Sequence, residues 1–254
     1  MSPHRRPSMN DVVEAALKLN KAKKRQETHL VGMVKLTITW GIIAGLVYLA
    51  FPGDLPLPRN LFWTGRPITE ILAAIWPLFA WSLGMSLLIS LVIKRSRADL
   101  MIARLVHKYN MGISVQAGVL EELVFRYFAF IAMLGIVPFL NWCAFGWNGG
   151  GLLLWFYTVV MVPIANWATL GLMSSLLATT PWFVGAALLS ANAMFRNGHK
   201  YQGPIGIVNS WYIGMFLFWI MFQFGLIVAI IVHILYDVIV FTVKHLDVTV
   251  FDNR

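Results

Sequence analysis

Charge and cysteine are both scarce in this sequence. Only 12% of its 254 residues are charged, and Cys143 is its single cysteine. One thiol excludes an internal disulfide framework and offers no zinc-finger spacing; it reads as a passive, membrane-facing side chain. So little charge is far below what an ordinary soluble globular domain carries. Acidic residues are the rarer sign, 11 against 20 basic, for a net charge of +9. The basic residues sit beside apolar stretches rather than on a polar domain, which points to anionic lipid headgroups and membrane topology and away from nucleic acid. The opening segment has no apolar core followed by a small-residue cleavage site, so it is expected to stay on the protein rather than act as a cleaved signal. No internal repeat and no low-complexity linker interrupts the chain, and one membrane domain is expected.

What the sequence has instead is apolar length. Hydrophobic residues make up 59% of it and the mean hydropathy is +0.71. Apolar runs lie at about 30–51, 68–93, 115–140, 152–177, 181–197, 206–224 and 225–243, and a bilayer crossing takes roughly 20 such residues of helix. The expected fold is all-α, a polytopic transmembrane bundle of about seven spans within a range of six to eight. The chain divides into a cytoplasmic amphipathic and basic segment (1–29), N-terminal transmembrane helices with a basic connector (30–114), a membrane core (115–243) and a tail (244–254).

In the first of these, Asn10 or Asp11 can cap a short interfacial helix. Val12, Val13, Ala16, Leu17 and Leu19 gather on one side, with Lys18, Lys21, Lys23, Lys24 and Arg25 towards water. Basic residues are dense before the first run and again at Lys94, Arg95, Arg97, Arg104 and Lys108, whereas the loop between the first two runs has only Arg59 and Arg66. The positive-inside rule places the N-terminus and the 94–110 segment in the cytoplasm, and Trp142 and Trp147 at the outer interface. The expected location is a bacterial plasma membrane.

Against this background a few ionisable residues stand out: Lys35, Glu70, Glu121, Glu122, Arg126, Arg196, His199, His233 and Asp237. A charge near the bilayer centre costs roughly 2.5–3.5 kcal/mol on insertion scales, so such groups usually face a protein interior or a wet cavity. In EELVFRYF, Glu122 and Arg126 are i and i+4 and can pair on one helix face, while Glu121 points about 100° away and is free for another task. His233 and Asp237 share the same spacing and can face one cavity. Either cluster alone is compatible with a structural salt bridge or a transport relay.

A third cluster, FRNGH, places Phe195 and His199 in an F-x-x-x-H arrangement. With EELVFR at 121–126 and HILYD at 233–237, the ordered set resembles the CAAX-prenyl-protease and bacteriocin-processing (ABI or CPBP) family of intramembrane proteases. Its motifs are E-E-x-x-x-R, F-x-x-x-H and H-x-x-x-N or H-x-x-x-D. The resemblance covers about residues 115–243.

It implies that Glu121 is a general base on water, that His199 positions or polarises that water, and that His233 and Asp237 sit at the oxyanion; an ionised aspartate cannot donate to a negative oxygen, so Asp237 is either protonated or, as expected here, orients His233. Glu122 and Arg126 would hold the helix and orient the first carboxylate, and Phe195 would support the site. The resemblance leaves a metal route open, with Glu121, His199 and His233 as a His₂Glu set for a divalent ion such as zinc and Asp237 behind it. It implies a membrane-bound peptide or lipidated protein substrate, alongside membrane lipids and a membrane protein partner. Other intramembrane protease signatures, H-E-x-x-H, G-x-S-G and G-x-G-D, are absent. A non-catalytic scaffold or assembly subunit and a proton-coupled carrier using Glu121 and Asp237 are the competing readings.

One departure has a geometric consequence. In the family the first two motifs lie on consecutive helices, whereas here the run at 152–177 intervenes. A single crossing there would put Glu121 and His199 on opposite sides of the membrane. An even number of extra crossings, or a re-entrant or broken helix around Pro163 and Asn166, would restore a shared site, and the latter is expected.

Overall fold

A computed structural model describes residues 62–92, 115–200 and 203–250, with residue 112 and scattered helical positions between 31 and 46. The expected N-terminal amphipathic helix, the basic stretch 94–110 and the last four residues lie outside the described residues, as does most of the first apolar run.

All described elements are helical. They are α1 (Ile68–Val92), α2 (Val115–Cys143), α3 (Leu152–Ala168), α4 (Ser174–Thr179), α5 (Trp182–Gly198), α6 (Gly203–Phe224) and α7 (Leu226–Val250). Among the described residues four stretches, Ile68–Leu88, Val115–Cys143, Gly203–Phe224 and Leu226–Val243, are long and apolar enough to cross a bilayer, which marks the chain as a helical membrane protein. Helix α7 continues to Val250, six residues past the expected start of the tail.

Aromatic packing and a few hydrogen bonds set the helix directions. Helices α2 and α6 run parallel: Arg126 lies over Phe218 and, one turn on, Phe130 meets Phe218 and Phe222 at ring distances of 5.8 and 5.7 Å. Helix α5 runs against α6, tied by Asn192 Nδ2 donating to the Trp211 carbonyl at 3.0 Å. Helix α7 doubles back through Gly225, whose φ of +99° and close approach to the Phe62 carbonyl admit no side chain. That carbonyl accepts from Ile227 N–H, and Thr64 N–H donates to the Phe224 carbonyl, so α1 starts at the same end as this turn. Further along α1, Trp81 Nε1 donates to Asn209 Oδ1 at 2.9 Å, and Asn209 Nδ2 donates to Tyr236 Oη at 3.1 Å. One end of the bundle therefore gathers residues 92, 115, 199 and 203, and the other gathers 62–68, 143–152 and 225.

The run at 152–177 is not one helix. Asn141 clamps its entrance, donating to the Gly150 carbonyl and accepting from Leu154 N–H. Wide π-helical turns at Tyr157–Met161 precede Pro163, whose missing N–H loosens the local ladder. The helix carries on past Pro163 and Asn166 to Ala168, then stops in a turn where Leu170 and Gly171 take φ of 51° and 83°. The break thus falls a few residues later than the proline suggests.

Tyr157, near the start of α3, packs on Trp182 and against Gly185 at the start of α5. Residues 152–181 therefore leave and return at the same end of the bundle, with no net crossing. Helix α5 then brings His199 back to the end where α2 begins.

Close packing of α5 on α6 is centred on Gly214. A Cβ there would strike Asn192 Oδ1 and come within 2.9 Å of the Phe195 ring, both on buried residues. Gly214→Ala is expected to lower stability by about 1–3 kcal/mol through overpacking. Unfolding followed by circular dichroism in micelles measures this, and an unchanged midpoint would show that the two helices have room to separate.

Candidate active site

The site begins with the backbone of α2. Residues Glu122–Ala129 form wide π-helical turns inside an otherwise α-helical span, a device that often re-aims side chains at functional positions. The adjacent carboxylates diverge there. Glu122 turns fully into the bundle, while Glu121 stands at its margin with 27% of its side chain exposed.

Glu122 is held from two directions. Arg126 Nη1 lies 3.1 Å from its Oε1, and both side chains are 0% exposed. The same Oε1 is 2.7 Å from His233 Nδ1 on α7. The ion pair expected from the i, i+4 spacing is therefore present. Its angles are poor: among the described residues none of the Arg126 guanidinium nitrogens, nor Glu122 Oε2, makes a hydrogen bond. The guanidinium is instead seated on aromatic faces, 4.0 Å from the Phe195 ring centroid and 5.5 Å from that of Phe218, which suits a delocalised cation.

Phe195 connects the three motifs. Its other neighbours are the His199 ring at 4.6 Å, the His233 ring at 6.1 Å and Phe125 at 5.5 Å. The sequence marks it as a support, and this contact set shows what it supports.

Glu121 is where the histidines meet. His199 Nε2 is 3.9 Å and His233 Nε2 3.8 Å from the same Glu121 Oε2. His199 Nδ1 is 2.9 Å from the Phe195 carbonyl; a carbonyl can only accept, so Nδ1 carries a proton and Nε2 is the nitrogen turned to the carboxylate. His199 is 16% exposed and His233 5%, so the gap between them and Glu121 is reached from the Glu121 and His199 side. Residues 121, 122, 126, 195, 199 and 233, drawn from three motifs, are thus in one place.

Asp237 departs from expectation. Among the described residues it makes no hydrogen bond to His233, and the side chain that holds the imidazole is Glu122. The i, i+4 spacing puts Asp237 on the same side of α7, but the acceptor comes from 111 positions away in the chain. Glu122 likewise orients His233 rather than the first carboxylate. The sequence carries no pattern for two other part-buried features, the Trp81–Asn209–Tyr236 chain and the Asn192 tie; only the packing of helices reveals them.

No family model, no curated protein and no solved structure matches this chain.

The His₂Glu set does not fit zinc as arranged. With bonds of about 2.0–2.2 Å, tetrahedral ligand atoms sit about 3.3–3.6 Å apart. Separations of 3.8 and 3.9 Å would open the ligand–metal–ligand angles to about 120–155°. Among the described residues no group of three His, Cys, Asp or Glu side chains has metal-binding geometry. A water suits the gap better: arms of about 2.8 Å to Glu121 Oε2 and to a histidine Nε2 subtend about 85–90°. The arrangement can therefore hold one water between a carboxylate and an imidazole in a largely apolar surround, which is the requirement for general-base activation.

Proposed function

We propose that this protein is an intramembrane endopeptidase of the CAAX-protease and ABI type. Support comes from one observation above the rest: two imidazoles, one just past the end of α5 and one on α7, turn Nε2 onto a single oxygen of Glu121 at 3.9 and 3.8 Å. Glu121 acts as the general base, and His199 positions the water at the open side of the site. The ordered motifs EELVFR, FRNGH and HILYD favour the same reading.

The proposed topology has six crossings, made by the first apolar run together with α1, α2, α5, α6 and α7, with the N-terminus in the cytoplasm of a bacterial plasma membrane. It rests on the density of basic residues at 94–110 and on the absence of a net crossing over 152–181. The opening of the site then lies towards the cytoplasmic face, where a membrane-anchored peptide or a lipidated protein tail is cleaved.

The test uses purified protein in liposomes with two fluorogenic peptides, one bearing a C-terminal prenyl-cysteine tail and one with a plain apolar anchor. Cleavage of either at a defined bond is expected, and the preferred peptide identifies the substrate class. Failure to cleave either, while pH-gradient-driven flux is present in the same vesicles, would replace the peptidase reading with the carrier.

A further inference from the structure

The contacts of His233 bear on how the proposed reaction divides its protons. The same Glu122 Oε1 meets Arg126 Nη1 at 3.1 Å and His233 Nδ1 at 2.7 Å. Arginine offers only donors, so Glu122 Oε1, which faces Arg126 Nη1 and His233 Nδ1 alike, is placed as the acceptor of both contacts. The proton between Glu122 and His233 therefore resides on Nδ1. In the neutral ring Nε2 is then a lone pair, and it is Nε2 that faces Glu121 Oε2 at 3.8 Å. Every link is shielded: Arg126 and Glu122 are 0% exposed, His233 is 5% exposed, and Arg126 is braced on Phe195.

We infer that Glu122 is a positioning residue that fixes His233 with its proton on Nδ1, so that His233 accepts a hydrogen bond from the reacting water instead of donating one to the oxyanion. This rests on the hydrolytic reading above. One water hydrogen points to Glu121 and the other to His233 Nε2, which leaves His199 to bound the water on its open side by contact. As the water oxygen bonds the peptide carbonyl carbon, the first proton passes to Glu121. As the carbon–nitrogen bond breaks, that proton moves to the departing amine. The second hydrogen remains on the oxygen of the new carboxylic acid, directed at Nε2. Atoms and charge balance, and the oxyanion takes its donors from groups other than His233.

The test is two-bond ¹⁵N–¹H correlation spectroscopy on the full chain in micelles, with ¹⁵N-histidine and a His233→Asn variant to assign the signal. The wild type is expected to show His233 protonated at Nδ1 and bare at Nε2. Glu122→Gln, whose amide oxygen can still accept from Nδ1, is expected to keep that pattern. The double variant Glu122→Met with Arg126→Met removes the acceptor without leaving a buried lone charge. It should release His233 to carry its proton on Nε2, and kcat should fall about 100-fold at unchanged KM.

A wild-type ring protonated at Nε2, or a double variant with the wild-type pattern, would overturn the assignment. Should the wild type show the expected tautomer yet cleave no peptide, the hydrolytic reading fails while the Glu122–His233 link stands.

Discussion

Glu121→Gln is expected to reduce peptide cleavage by about 10²–10⁴-fold, the range associated with removing a positioned general base, with KM little changed. The substitution keeps the shape of the side chain and its ability to hydrogen-bond. The position is at the margin of the bundle, 27% exposed, so a neutral amide creates no buried orphan. What is lost is a carboxylate oxygen within 4 Å of two imidazole nitrogens, and with it the acceptor for the water's proton. The scaffold reading expects the opposite, since it assigns Glu121 no task in turnover. Steady-state kinetics in liposomes decide between them: retention of more than about a tenth of wild-type kcat would be incompatible with Glu121 as the base.

The largest effect on stability is expected from Arg126→Met alone, which leaves Glu122 buried with its counter-charge removed. Breaking one side of a fully buried pair typically costs about 3–5 kcal/mol. Here the cation–π contacts with Phe195 and Phe218 are lost as well, for about 0.5–2 kcal/mol more. His233 still bonds Glu122 but does not replace a permanent positive charge. Adding Glu122→Met is expected to recover most of the loss, because apolar residues of similar volume often match a buried ion pair in stability. Denaturant unfolding of the two variants in mixed micelles measures the difference. Equal stability of single and double variants would mean that Glu122 is neutral in the bundle, which would also remove the basis for the His233 tautomer.

Local features of the site were legible in the sequence and long-range ones were not. The Glu122–Arg126 pair follows from i, i+4 spacing within one helix, and it is present at 3.1 Å. The same spacing suggests Asp237 as the partner of His233. It misleads there because a carboxylate on another helix reaches Nδ1 first, and no periodicity encodes that reach.

The apolar run at 152–177 reads as a span by length and composition. Its fate depends on a turn at Leu170 and Gly171 and on Tyr157 packing against α5. Pro163 does signal irregularity, but one missing N–H where the π-helical turns give way to α-helix is tolerated, so the helix goes on to Ala168. Phe195 was recognisable as a motif residue, whereas its place between a guanidinium and two imidazoles arises only when three helices converge.

The central claim, that Glu121, His199 and His233 together activate a water for peptide hydrolysis, is tested most directly by mass spectrometry of cleavage in H₂¹⁸O. Liposomes containing the protein and the prenyl-tailed or plainly anchored peptide are expected to yield a new C-terminal carboxyl bearing one ¹⁸O, and Glu121→Gln liposomes are expected to yield almost none. Intact peptides after prolonged incubation with well-folded wild-type protein, or equal labelling by the Glu121→Gln variant, would contradict it.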